Sequence, residues 1–183
     1  AGGVNSDARE AIAGDVAATP GAHFSKIRDD HKLGTGETQH HLKQLRRDGA
    51  IEHRKDGDYS RYFPADRFDE FEQVALGYLR RETPRGMLVA LLESPDATGA
   101  ELAARLDVSR PTISKYAAPL ATAGLLSRAR YAVEPPERVL LLPVRYADPF
   151  HPDPTALADI APALVSYHPH ASVRPHPKPR PRS

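Results

Sequence analysis

The residues of this chain best placed to do chemistry by charge and hydrogen bonding stand together at 109–116, which read Ser-Arg-Pro-Thr-Ile-Ser-Lys-Tyr. Arg110 and Lys115 can neutralise phosphates, while Ser109, Thr112, Ser114 and Tyr116 supply hydroxyls suited to phosphate oxygens and base edges. Such an inventory supports non-covalent recognition of a polyanion. Catalysis finds no comparable set. His40 and His41 are adjacent rather than on one helical face, and His23, His31 and His53 share no metal-binding spacing. Asp29, Asp30 and His31 read as a polar helix end, and Asp7, Glu10 and Asp15 as surface. The sequence has no nucleophile elbow, no phosphate loop with its lysine and no HExxH. It has no cysteine, which excludes a thiolate nucleophile, a disulfide, a cysteine zinc site and thiol-based redox sensing. No enzyme, cofactor or metal site is therefore expected.

Presenting residues 109–116 requires a particular local structure, and TGAELAARLDVSRPTISKYAAPLATAGLL supplies its pattern. Leu102, Leu106 and Val108 give the apolar face of a short helix and the turn after it, and Ile113, Leu120 and Leu125 continue that face. The turn is predicted at Asp107–Ser109, with Ser109 capping the next helix and Pro111 in its first turn, where a missing amide hydrogen costs nothing. Pro119 lies inside that helix, where proline costs about 3 kcal/mol, but well past the presented N-terminal turns. After Leu126, SRARYAVEPPERVLLLPV reads as two short strands around Glu134-Pro135-Pro136-Glu137. This is the shape of a small hairpin wing, with Arg128, Arg130 and Arg138 near a backbone they could touch.

The same layout occurs earlier, in HFSKIRDDHKLGTGETQHHLKQLRRDGAI. Phe24, Ile27 and Leu33 form one apolar face, Leu42 and Leu45 the next, and Gly49 ends the helix before Ile51 opens a strand. IEHRKDGDYSRYF then carries Asp56-Gly57, a tight-turn signal between alternating residues, so a wing is expected here as well. Thr35, Gln39, His40 and Lys43 are the candidate contacts on the helix, and Arg54, Lys55 and Arg61 the candidate phosphate contacts on the wing. Tyr59 and Phe63 read as packing or stacking residues of the hairpin. Glu37 is out of place near phosphates, which repel it, although it can accept from a cytosine amino group. The second copy is thus expected to be the stronger reader.

Both halves resemble the winged helix-turn-helix domains of archaeal transcription regulators, especially the tandem-domain proteins of haloarchaea, within the broad group that includes the MarR and ArsR types. GETQHHLKQLRRDGAI with DGDYSRYFP, and ELAARLDVSRPTISKYAAPLATAGLL, carry the resemblance, which covers roughly residues 5–145. It implies a mainly α fold with small β wings, two winged helix-turn-helix domains joined by a linker helix, sequence-specific binding of double-stranded DNA through the helix after each turn, and a homodimer. The organisation expected is a first domain at 1–65, a linker helix at 66–83, a second domain at 84–146 and a proline-rich segment at 147–183.

Composition bounds these readings. Two winged domains of about 65 residues are each marginal alone, so a shared helix or a dimer interface is expected. Phe68, Phe71, Val74, Ala75, Tyr78 and Leu79 give the linker one apolar stripe, read as core within the chain with a dimer seam as the alternative. Met87, Leu88, Leu91 and Leu92 open the second domain as packing residues. The net charge is only +1, with residues 66–83 acidic and 84–146 mildly basic, so DNA binding would rest on locally placed cations and fall steeply with salt. The final 37 residues hold half of the eighteen prolines. There TALADIAPALVSY is expected to form a short helix, docked back or paired across a dimer, and HPHASVRPHPKPRPRS an extended basic tail. No apolar run approaches the roughly 20 residues of a spanning helix, so no membrane contact within this stretch and a cytoplasmic setting are expected. A protein-interaction module built on degenerate winged helices, or a non-specific DNA-associated protein, is the alternative function. An unknown small-molecule effector, held near the linker helix, is the further partner considered.

Overall fold

The structure, a computed structural model of the chain, describes residues 2–127, 131–134 and 138–139, and within them three helices followed by a hairpin are laid down twice. The first set is α1 (Gly2–Ala18), β1 (Ala22–His23), α2 (Phe24–Asp30), α3 (Thr35–Arg47), β2 (Ile51–Asp56) and β3 (Tyr59–Pro64). The helix α4 (Glu70–Leu79) leads to the second set: α5 (Glu82–Glu93), α6 (Gly99–Leu106), α7 (Arg110–Thr122), β4 (Leu126–Ser127) and β5 (Ala132–Val133). The fold is mainly α, with two small hairpin wings and two winged-helix subdomains joined by a helix. No described helix is long and apolar enough to cross a membrane.

Equivalent turns are built by equivalent chemistry in the two halves. Each short helix ends at a residue in the left-handed region, Lys32 after α2 and Asp107 after α6, both at φ 52°. The next amide then reaches back five residues, from Leu33 to the Arg28 carbonyl and from Val108 to the Ala103 carbonyl, each at 3.0 Å. Leu33 and Val108 fold inward against their own cores, which fixes where the following helix begins. The second helices stop in the same manner. Gly49 at φ 70° lets Ala50 donate to the Leu45 carbonyl (2.9 Å), and Gly124 at φ 76° lets Leu125 donate to the Leu120 carbonyl (3.0 Å). Pro119 stands inside α7, yet the helix runs on to Thr122, so its N-terminal turns are undisturbed.

The first wing pairs β2 and β3 antiparallel, and β1 adds to the far edge of β3. Asp56 pairs with Tyr59, so the tight loop is Gly57-Asp58, one residue later than the sequence signal, with Gly57 at φ 58°. The second wing turns earlier than the sequence suggests. Leu126 pairs with Val133 and Ser127 with Ala132, so the reversal of this hairpin falls between Ser127 and Ala132; residues 135–137 of the expected corner lie outside the described residues. Tyr131, at φ 45°, belongs to that reversal, and the ladder closes with Glu134 donating to Leu125 at 3.0 Å. Arg128 and Arg130, the segment from 140 onward, its expected short helix and its basic tail lie outside the described residues.

Two cores result. Ile12, Val16, Ile27, Leu42, Leu45, Ile51 and Tyr62 pack in the first half. The larger core joins α4 to the second half through Leu76, Leu79, Met87, Leu88, Leu102, Ile113 and Leu120, and it also takes Phe63 from the first wing. The wing sheet therefore has a core on each side. The linker stripe is used inside the chain: Phe68, Phe71, Val74 and Tyr78 are partly buried against this larger core, around the buried Ala75 and Leu79.

Candidate nucleic-acid interface

The N-terminus of α7 is built to hold its first turn rigid. Ser109 accepts a hydrogen bond from the Thr112 amide at 3.3 Å, and the two hydroxyls meet at 2.8 Å. Pro111 fills a first-turn position. On this frame Arg110, Ser114 and Lys115 are exposed, while Thr112 and Tyr116 are half-buried. Tyr116 packs against the core, with the Lys115 ammonium 5.9 Å from its ring, so it lies at the edge of the presented face. Ile113, Ala117 and Leu120 bury the opposite face, which fixes the rotation of the helix. In a helix-turn-helix, the N-terminal residues of this second helix are those that reach base edges.

The start of α3 is plainer. Gly34 is its N-cap and offers no side-chain bond, while Thr38 turns inward and donates to the Gly34 carbonyl at 2.9 Å. Thr35, Gly36, Glu37, Gln39, His40 and Lys43 are exposed, and Thr38, His41, Leu42 and Leu45 are buried. Arg46 and Arg47, not among the candidates named from the sequence, are both exposed at the end of this helix. Helical spacing was the signal available, since Gln39, Lys43 and Arg46 recur at intervals of four and three. Between α3 and β3 lies an open recess of about 360 Å³. Phe24, Leu42 and Tyr62 line it together with Gln39, Lys43, Arg46 and Ser60. His53 is paired across the strands with Tyr62, their rings stacked at 6.0 Å. Burial, then Arg46, then Lys55, hold its pKa below the usual 6.5.

Strand alternation separates the three wing cations named from the sequence. Side chains at 51, 53 and 55 share one face with 60 and 62, and those at 52, 54 and 56 share the other with 59, 61 and 63. Lys55 is exposed on the first face, beside α3. Arg54 and Arg61 lie on the second, under the linker. Arg54 donates to Glu70 at 3.2 Å. The Arg61 side chain is 4% exposed and donates to Asp56 at 2.6 Å and to the Gly21 carbonyl at 3.0 Å. Arg61 is therefore a structural residue rather than a surface phosphate contact. Asp56 also accepts from Arg81 at 3.1 Å, and Arg80 donates twice to the Pro20 carbonyl, at 3.1 and 2.8 Å. Burial, with Arg61 and Arg85 adding to it, pulls Arg80 down to about 9, so it still carries its charge near neutrality. Gly77 allows this approach: a Cβ there would stand 3.3 Å from Arg61 Cδ and from an Asp56 oxygen. Arg138 is committed too, donating to Asp69 at 2.5 Å and Glu72 at 3.3 Å and covering the Phe71 ring.

The remaining cations sort by partner. Lys26, Arg28, Arg54, Arg61, Arg81, Arg105 and Arg138 are ion-paired. Lys32, Lys43, Arg46, Arg47, Lys55, Arg67, Arg110 and Lys115 are exposed and make no ion pair among the described residues. Six of these eight lie on α3, its wing and α7, while Lys32 stands in the turn before α3 and Arg67 before α4. Among the described residues no group of three or more His, Asp or Glu could hold a metal ion.

Residues 6–76 match the family model of an N-terminal HTH domain of the HVO_0163 type. The match runs from within α1 through the first wing and into α4, leaving the second half outside it. No curated protein and no solved structure matches the chain. The first half is thus similar to an archaeal helix-turn-helix domain, consistent with a winged-helix regulator family.

Proposed function

We propose that the chain is a transcriptional regulator that binds double-stranded DNA in a sequence-specific manner, as a homodimer, with α7 entering the major groove. The observation that carries this reading is the placement of unpaired, exposed cations on the second helix of each helix-turn-helix, in a chain whose net charge is only +1. An ion-paired arginine must give up its acid before it meets a phosphate, whereas Arg110 and Lys115 need not. The Ser109 cap supports the reading further, because contacts to base edges need a helix terminus of fixed geometry.

The test is Arg110→Ala with Lys115→Ala in the full chain, measured by equilibrium binding to a selected duplex at fixed salt. Affinity is expected to fall at least tenfold, or about 1.4 kcal/mol. Unchanged affinity would remove α7 as the reader. If no duplex can be selected at all, the protein-interaction reading of these domains takes its place.

A further inference from the structure

The two second helices carry their charge at opposite ends. In α7 the cation of the first turn is Arg110 and the last turn has none, whereas α3 has Glu37 in its first turn and Arg46 and Arg47 in its last. The base-reading end of α3 therefore presents a carboxylate beside Thr35 and Gly36, neither of which offers a cationic donor. Its cations lie instead at the far end and face the wing, where Lys43, Arg46 and Ser60 line the recess of about 360 Å³. Lys55 is exposed on the same face of the sheet, paired across the strands with Ser60.

Resting on the DNA-binding reading above, we propose that this recess is a site for one DNA backbone phosphate, bound by Lys43 and Arg46, and that the first domain grips the duplex without reading its bases. Three features support this assignment. Lys43 and Arg46 have no acid partner among the described residues, so an entering phosphate displaces nothing. The Ser60 hydroxyl adds a neutral donor, and phosphate contacts commonly combine such a hydroxyl with a cation. Glu37 guards the end of α3 that would otherwise enter the groove, since a carboxylate near phosphates is repelled. The chain then divides the labour: α7 supplies sequence preference, and α3 with its wing supplies affinity and register.

The experiment measures affinity for a selected duplex and a scrambled one, across a range of salt, for three forms of the full chain: unaltered, Lys43→Ala with Arg46→Ala, and Arg110→Ala with Lys115→Ala. The Lys43/Arg46 pair is expected to weaken both duplexes by a similar factor and to lower the slope of log affinity against log salt by about 1. The selected-to-scrambled ratio should stay as it was. The Arg110/Lys115 pair should compress that ratio. Both altered pairs are exposed, so thermal unfolding should be unchanged. The proposal is overturned if the Lys43/Arg46 pair leaves affinity and slope unaltered while the Arg110/Lys115 pair abolishes preference, a result that spares the DNA-binding reading. It is overturned equally if the Lys43/Arg46 pair compresses the ratio, because α3 would then be reading bases. If the unaltered chain binds neither duplex, the DNA-binding reading itself fails and this site fails with it.

Discussion

At the scale of single residues, charge matters here by what already answers it. Arg61 and Lys55 are both wing cations in the sequence, but one is buried against Asp56 and the other stands exposed beside α3. Two histidines make the pH dependence of stability definite. His23 and His53 both titrate below 6.5, in each case chiefly because burial disfavours the charged ring. The unfolded chain then binds protons that the folded chain resists, so the contribution of these two rings to stability is full above the ordinary value of 6.5 and is lost as pH falls from there through their lower folded values. Thermal unfolding between pH 7.5 and 5.5 should show a falling midpoint, and His53→Gln should flatten part of that fall; a midpoint that rises on acidification would contradict it. Lys32 and Asp107 give a second prediction. Each holds φ 52°, a conformation that costs a residue with a Cβ about 1 kcal/mol, so Lys32→Gly and Asp107→Gly should each be neutral or slightly stabilising in denaturant unfolding. A loss of more than about 1 kcal/mol would show that the side chains matter more than the backbone there.

At the scale of elements, the first wing is held from behind by the helix that follows it. Asp56 bridges Arg61 and Arg81, Arg54 meets Glu70, and Glu52 meets Gln73, so β2 and β3 are tied along their length to α4 and its C-terminal end. Removing the Asp56 carboxylate leaves the buried Arg61 guanidinium with the Gly21 carbonyl and the face of the Tyr59 ring but no acid. Asp56→Ala is therefore expected to cost on the order of 3 kcal/mol in chemical denaturation, while Lys55→Ala on the opposite face should cost almost nothing. Equal effects would mean that the bridge does not hold the wing. Local signals made much of this scale legible. The Ser109 cap, the turn at Asp107–Ser109 and the glycine at 49 all act within a few residues, and the sequence shows them directly, whereas the left-handed Lys32 has no such signal. Alternation along the strands was equally local and would have separated Arg54 and Arg61 from Lys55. What the sequence could not show was the acid partner of Arg54 and Arg138, because Glu70 and Asp69 find them through tertiary packing.

At the scale of the whole molecule, the second core reaches back across the linker to take Phe63, so the first wing packs against the second half rather than lying free. The repeated order of elements was legible because its hydrophobic spacing recurs. The asymmetry between the copies was only half legible. Glu37 was visible as misplaced, but the recess that Lys43 and Arg46 line depends on how α3 and β3 lie together. The second wing shows how proline can mislead in the other direction: Pro135-Pro136 looked like the corner of a hairpin that in fact turns before it. The most direct test of the central claim is to select bound fragments from a random double-stranded DNA pool and compare the winner with scrambled DNA at two or more salt concentrations. A defined motif bound about a thousandfold more tightly, with half-site spacing that fits two copies of α7, is the predicted result. An unenriched pool with weak binding erased by salt would contradict it.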